Sequence, residues 1–176
     1  MKRLNLFLVS LLFLGSCKSG KEKDIQELSY YDIKGFFEQE IVKLNKTNPV
    51  VKKSVFYNQD EEVKTLKIKD WAQELSLFVE SDINKSSWKN SYKIDSLPNQ
   101  IVYTAKENDL RTQKIIIDFK DSKPVKFSIK NKSINYLYTT SEDLTFYTDS
   151  LYNIVKDQHV TVLGDNHYII TGLLVR

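Results

Sequence analysis

The sequence contains few of the residues that form cross-links and tight loops. Its 176 residues include one cysteine, three prolines and five glycines. A single cysteine excludes a disulfide within the chain. The few glycines form neither a Gly-x-Gly-x-x-Gly pattern nor a P-loop, so the sequence gives no sign of a nucleotide-phosphate site. Its longest apolar run is shorter than the roughly 20 residues that a membrane-spanning helix needs.

The sequence also lacks a strong excess of either charge, since it has 26 basic and 23 acidic residues. Residues 1–16 carry Lys2 and Arg3 and no acid, so the remainder of the chain is almost neutral. A nucleic-acid partner would call for clustered basic residues, which this balance does not supply. The chain is 41% hydrophobic and 12% aromatic, which is typical of a globular domain. Its length suits one domain with a real core.

The first seventeen residues have the three zones of a secretory signal. Lys2 and Arg3 are followed by the apolar run Leu4–Phe13 and then by Leu14-Gly15-Ser16-Cys17. The last four residues resemble a lipobox, the processing site of bacterial lipoproteins. The resemblance implies a diacylglyceryl thioether on Cys17, cleavage between Ser16 and Cys17, and acylation of the new N-terminus by a fatty acid such as palmitate.

Two other interpretations of this N-terminus remain open. It could be an ordinary secretory signal that leaves a free cysteine, or an apolar helix at the start of a cytoplasmic protein. The lipobox interpretation divides the chain into a signal peptide (1–16), a lipidated cysteine with a flexible tether (17–27) and a single domain (28–176). Lys18 lacks the aspartate that retains some lipoproteins in the inner membrane. We therefore expect an outer-membrane protein, on the periplasmic face or the cell surface.

Helical spacing of apolar residues predicts two helices. Ser29 to Asn45 forms one apolar stripe, with Ser29 and Asp32 resembling a capping box. Asp70 caps a second helix, in which Trp71 lines up with leucine and phenylalanine. This alignment favours a core position for Trp71, and we expect the same of Trp88, rather than stacking on a ligand.

From residue 92 onward the apolar period changes to two, which is typical of a sheet with one wet face. The segments 114–120 and 125–130 alternate most clearly, and Gly164-Asp165-Asn166 is the predicted turn of a last hairpin. The predicted fold is α+β, with N-terminal helices packed on a long, curved antiparallel sheet. Such a meander or half-barrel resembles the periplasmic lipoprotein carriers in fold alone.

Candidate chemistry is sparse. His159 and His167 flank the last predicted turn, with Asp165 nearby, but a metal site normally needs three or four ligands. No Gly-x-Ser-x-Gly elbow is present. We therefore predict no catalytic site, no metal and no cofactor. Ser96 and Ser150 each follow an aspartate in a pattern resembling bacterial O-glycosylation signals, although turn residues are the favoured interpretation.

Five tyrosines in the sheet half form the predicted surface for a ligand or partner, since each offers apolar area and a hydroxyl group. They are Tyr136, Tyr138, Tyr147, Tyr152 and Tyr168. Ordinary core and cross-strand packing is the competing interpretation.

Together these features resemble the small lipoproteins of Gram-negative envelopes. The predicted function is that of a lipid-anchored, non-catalytic protein that binds a partner protein or an apolar ligand. The alternatives are a periplasmic carrier of lipid or lipoprotein, an envelope hydrolase and an inhibitor or immunity-type protein. A carrier needs a continuous apolar cavity, so the decisive observation is whether the space beneath the first helix is hollow or packed.

Overall fold

The computed structural model describes residues 28–175, which form a mostly β fold with one large, open antiparallel sheet of nine strands and a few helices. The strands are β1 (Val50–Tyr57), β2 (Asp60–Lys67), β3 (Tyr92–Leu97), β4 (Gln100–Ala105), β5 (Thr112–Lys120), β6 (Lys123–Ile134), β7 (Tyr138–Tyr147), β8 (Leu151–Val160) and β9 (Gly164–Val175). The predicted alternating segments fall within β5 and β6, which confirms the antiparallel sheet.

The helices do not all precede the sheet. Only α1 (Ile33–Thr47) does so, whereas α2 (Trp71–Glu74) and α3 (Ser76–Val79) lie between β2 and β3. A single turn of 3-10 helix follows at Ser86–Trp88. No helix in residues 28–175 is both long enough and apolar enough to cross a membrane.

Aspartates begin the first two helices. Asp32 Oδ1 accepts a hydrogen bond from the Gly35 N–H at 2.8 Å, and Asp70 Oδ1 accepts one from the Gln73 N–H at 3.0 Å. Each bond satisfies an N–H group that has no partner within the helix. Asp70 is the predicted cap. The first helix starts later than predicted because Asp32, rather than Ser29, is the capping residue.

Strand order in the sheet is β2-β1-β9-β8-β7-β6-β5-β4-β3. Each strand from β3 to β9 therefore pairs with its neighbours in sequence, as short hairpin connections allow. The exception is the pairing of β1 with β9, which adds the β1–β2 hairpin to the far side of the sheet. The open edges are β2 and β3.

One face of the sheet packs against the helices, and we call it the helix face. Ile115, Ile117, Phe127 and Ile129 lie on it and are almost fully buried. Ile115 pairs with Ile129, and Ile117 pairs with Phe127. Residues between them in sequence point to the opposite face, since side chains alternate along a strand.

Aromatic rings fill the space between α1 and the sheet. Phe37 of α1 lies 5.2 Å from Phe127 of β6 and 5.1 Å from Phe146 of β7, measured between ring centroids. Phe36 lies 4.4 Å from Phe127, and Phe78 of α3 lies 5.0 Å from Phe37. These five rings form one packed cluster, so the described residues beneath α1 are packed together.

A second packing unit holds α2 on the sheet. Trp71 is buried and meets Tyr152 edge to face at 6.2 Å. The Tyr152 hydroxyl donates to Glu74 Oε1 at 2.5 Å, and Lys53 Nζ lies 2.7 Å from the same carboxylate. Gly172 lies against the Tyr152 ring, where a Cβ would clash at 2.1 Å. The core position predicted for Trp71 is confirmed, and Trp88 is partly buried against the same core.

Candidate functional site

Two neighbouring turns protrude at one end of the sheet, which we call the hairpin end. The turn between β6 and β7 is 135–137, and the turn between β8 and β9 is 161–163. The Thr161 N–H and hydroxyl both donate to the Leu137 carbonyl at 3.1 Å, which ties the turns together. Asn135 Oδ1 accepts from the N–H groups of Leu137 and Tyr138, and Gly164 supplies a positive φ of 85°. Both residue types are typical of such turns.

Apolar side chains cover these two turns. Between 62% and 95% of each residue's surface is exposed, and we call the five together the apolar tip: Ile134, Tyr136, Leu137, Val162 and Leu163. A single exposed apolar residue is common on a protein surface. Four of these five residues lie on the two turns, and Ile134 is the last residue of β6. Because hydrogen bonds join the turns, we treat the five as one exposed patch, which is the usual mark of an interaction surface.

Two histidine–aspartate pairs lie beside the apolar tip. His159 Nδ1 is 2.6 Å from Asp165 Oδ1, and His167 Nδ1 is 2.5 Å from Asp157 Oδ1. The register explains both pairs, because His159 lies directly opposite Asp165 and Asp157 lies opposite His167. All four side chains are on the sheet face opposite the helices, since their positions alternate with those of buried Ile154 and Tyr152.

The sequence-based turn was misplaced. We predicted the turn at Gly164-Asp165-Asn166, but these residues begin β9, and Val162 and Leu163 form the turn instead. The resulting register gives each histidine an aspartate as its partner, rather than bringing the two histidines together. Apolar residues at a turn are unusual, which is why the sequence pattern suggested a longer β8.

A shallow concavity surrounds these pairs. The residues that line it include Asn58, Thr139, Ser141, Asp157, His159, Asp165 and His167. Thr139 lies opposite His159 on β7, so a hydroxyl, an imidazole and a carboxylate occupy one row across three strands. Within residues 28–175, no group of three or more His, Cys, Asp or Glu side chains is placed to hold a metal ion.

Two tyrosines stack on the helix face near the same end. The rings of Tyr57 and Tyr168 lie 4.7 Å apart and are inclined by 26°. The Tyr57 hydroxyl donates to Asn166 Oδ1 at 2.8 Å. Desolvation, together with the hydrogen bond to Tyr57, raises the pKa of Tyr168. The stacked pair places two aromatic rings near the hairpin end, on the helix face.

The five tyrosines predicted as one surface occupy different places. Tyr136 and Tyr138 lie at the hairpin end, and Tyr168 stacks on Tyr57. Tyr147 lies at the opposite end of β7, with Lys126 Nζ 5.2 Å from its ring. Tyr152 is buried, and burial with its hydrogen bond to Glu74 raises its pKa. The structure thus does not bring the five together, and sequence reasoning missed the four aliphatic residues of the apolar tip.

A buried ionic cluster lies on the helix face between the core and the hairpin end. Glu142 is only 7% exposed and is 2.9 Å from Arg111 Nη2 and 3.6 Å from Lys156 Nζ. Asn131 donates to Glu142 Oε2 at 3.2 Å and to Ser81 Oγ at 2.8 Å. These bonds join β6, β7, β8 and the residue just before β5 to the segment after α3, which is a structural role.

The predicted modification sites lie in three parts of the chain. Ser16 and Cys17 lie outside the described residues, so cleavage and lipidation stay predictions. Ser150 lies in the turn between β7 and β8, as expected, whereas Ser96 lies on the edge strand β3 rather than in a turn. Glycosylation at either serine likewise stays a prediction.

Comparison with known proteins gives no family for this chain. It has no significant match among protein-family models, curated proteins or solved structures. The functional argument therefore rests on the residues and on their geometry.

Proposed function

We propose that this chain is a lipid-anchored, non-catalytic lipoprotein of the Gram-negative outer membrane, on either its periplasmic or its surface face. Its acylated Cys17 holds the domain to the membrane, and the hairpin end binds a partner protein or an apolar ligand. The apolar tip is the observation that carries the binding part of this proposal, because its five side chains form one exposed patch. The lipobox resemblance carries the anchor.

We also propose that the nine-stranded sheet is curved. A sheet of nine twisted strands is expected to curl, which would give the half-barrel suggested by the sequence. A carrier with this shape would need an apolar cavity of about 300–1,000 Å³. The rings of Phe36, Phe37, Phe127 and Phe146 pack against one another where that cavity would lie. This packing favours binding on the surface over transport in the interior.

An envelope hydrolase is the second candidate, favoured by one specific observation. Thr139, His159 and Asp165 lie in one row, as a nucleophile, a base and the group that orients the base would. Their exposure to water weakens each electrostatic interaction that catalysis needs. If His159→Ala abolished turnover of a simple ester by the purified protein, while His167→Ala did not, this candidate would replace the non-catalytic one.

The anchor is tested by intact mass and fractionation. We expect the wild-type protein to begin at Cys17, to carry the added mass of acyl chains and to remain with the membrane. We expect Cys17→Ala to lose the acyl mass and the membrane attachment, while Lys18→Ala keeps both. Acylation that persists in Cys17→Ala would contradict the proposal. The same mass spectrum reports any hexose on Ser96 or Ser150.

A further inference from the structure

The apolar tip is convex rather than concave. Its side chains project from two turns, at the end where β6 and β8 finish and β7 and β9 begin. Tyr136 is 95% exposed and Val162 is 87% exposed, so neither is held in a groove of this chain. A protruding apolar patch has a shape that can insert into the apolar region of a lipid bilayer.

The chemistry of the apolar tip matches that of a bilayer interface. Tyrosine is enriched at the level of lipid headgroups, where its ring is apolar and its hydroxyl remains wet. Aliphatic side chains such as Val162 and Leu163 reach the acyl boundary below. Lys132 lies two positions before Ile134 and is exposed, which suits the anionic headgroups beside such a contact.

The distance to the proposed anchor permits this contact. The Tyr31 N–H donates to the Tyr103 hydroxyl, which fixes the start of the domain over β4. From there the end of β6 is about 25 Å away, counting strand spacings and residue rises. The tether 17–27 can span about 35 Å when extended. An anchor at Cys17 thus lets the apolar tip reach the membrane that holds it.

We propose that the apolar ligand of the hairpin end is the bilayer itself, and that the apolar tip inserts into the interface of the membrane that carries the Cys17 anchor, giving the domain a second attachment point. The hairpin end then faces the membrane, and the opposite end of the sheet, with the turns after β3, β5 and β7, faces away. This inference rests on the proposed lipid anchor for its location, but the contact itself is a property of the five exposed side chains.

The test places a single label on each end of the sheet. Because Cys17 is the only cysteine and its thiol is consumed by lipid, Leu163→Cys or Leu97→Cys offers one free thiol for an environment-sensitive fluorophore. Leu97 is the matched control, since it is a leucine that is 59% exposed at the opposite end of the sheet. The mature lipidated proteins are reconstituted in vesicles of phosphatidylethanolamine and phosphatidylglycerol that contain lipid-attached quenchers.

We expect a blue-shifted, strongly quenched label at position 163 and a water-like, weakly quenched label at position 97. Equal signals at both positions, or a water-like label at 163, would overturn the inference. A water-like label would mean that the apolar tip serves a protein partner instead. Circular dichroism confirms that each variant is folded.

A second variant tests whether the apolar side chains, rather than the attached label, cause the contact with the bilayer. Replacing Val162 and Leu163 together with serine should lower quenching of a label placed at Tyr136→Cys by at least about threefold, because two of the inserted side chains are gone. Unchanged quenching would count against insertion. Failure of the anchor is detected separately, because the intact mass reports acylation before any vesicle is added. If acylation is absent, the same label positions in a Cys17→Ser background again offer one free thiol, and adding these proteins to vesicles from solution still measures the contact at position 163.

Discussion

The packed region under α1 and the hairpin end lie on the same sheet, yet they use apolar side chains in opposite ways. Under α1, Phe37, Phe127 and Ile129 are almost completely buried. At the hairpin end, Tyr136 and Leu163 are almost fully exposed. The two regions differ because α1, α2 and α3 pack over the middle of the helix face and leave the two turns exposed to solvent.

The two regions also differ in how charge is placed. Glu142, next to the core, is buried and meets two cations and an amide. His159 and Asp165 at the hairpin end form an even shorter contact, at 2.6 Å, although both side chains are exposed to water. Distance alone therefore does not indicate which contact matters for stability, since burial sets the strength of an ion pair. The packed region holds the fold together, and the hairpin end is the surface that we propose makes an external contact.

The sharpest test of this comparison is a pair of aromatic truncations. Phe37→Ala removes a fully buried ring that touches four others. It should lower the free energy of unfolding by about 3–5 kcal/mol, through lost burial and the cavity that remains. Tyr136→Ala, at an exposed position, should change it by less than about 0.5 kcal/mol. Urea unfolding measures both, and similar losses would abolish the distinction between the two regions.

The next largest effect is expected at the buried carboxylate. Glu142→Gln keeps the shape but removes the buried anion that meets Arg111 and Lys156, leaving Arg111 with only the more exposed Glu80 carboxylate at 3.6 Å. The cost should be about 2–3 kcal/mol, below the value for a fully buried pair because both cations still touch water. Asp143→Asn is the matched control on the other face, where the partner Lys130 is 3.0 Å away and exposed. It should cost less than about 1 kcal/mol.

Alkaline pH should destabilise the packed region through its buried tyrosines. Burial, and the hydrogen bond to Glu74, raise the pKa of Tyr152, and burial also raises that of Tyr92. A raised pKa means that the folded protein keeps a proton which the unfolded chain loses above about pH 10. This stabilisation is complete below pH 10 and declines as the pH rises toward the folded-state pKa.

Tyr152→Phe removes one of those titrating groups. The loss of stability with pH above 10 should become shallower, by at most about 1.4 kcal/mol per pH unit, the limit for one proton. Urea unfolding between pH 8 and 11 gives the slopes of the wild type and the variant, and an unaltered slope in Tyr152→Phe would show that its hydroxyl does not sense folding.

The sheet was predictable because its signal is local. In β5 and β6, Ile115, Ile117, Phe127 and Ile129 alternate with polar residues, and that period is set by backbone geometry alone. The helix beginning after Asp70 was equally readable from its cap. The prediction that the helices are N-terminal holds for α1 alone, because α2 and α3 lie between β2 and β3.

The candidate site was much less predictable, because it depends on register. One turn placed at 161–163 rather than 164–166 decides which side chains meet, and apolar residues in that turn look like strand residues. The same holds for the tyrosines, because distant parts of the chain decide their surroundings: the pairing of β1 with β9 places Tyr57 beside Tyr168, and α2 covers Tyr152. The sequence pattern identified tyrosines that could form a binding surface. Only the tertiary arrangement shows that Tyr152 is buried and that Tyr136 is exposed.

The smallest expected effect is at the exposed His159–Asp165 pair. Its size indicates which interactions stabilise the hairpin end. The side chains of His159 and Asp165 are 63% and 85% exposed. A double-mutant cycle with His159→Ala and Asp165→Ala should therefore give a coupling of less than about 1 kcal/mol, reduced further by added salt.

The Arg111–Glu142 pair, examined by the same cycle, should couple more strongly because Glu142 is buried. A coupling above about 2 kcal/mol at His159–Asp165 would mean that water does not reach this pair. Small coupling there would leave the β8–β9 backbone ladder and the Thr161–Leu137 bonds as the supports of the hairpin end. The histidines and aspartates would then be free to change without loss of fold, as residues of a binding surface are.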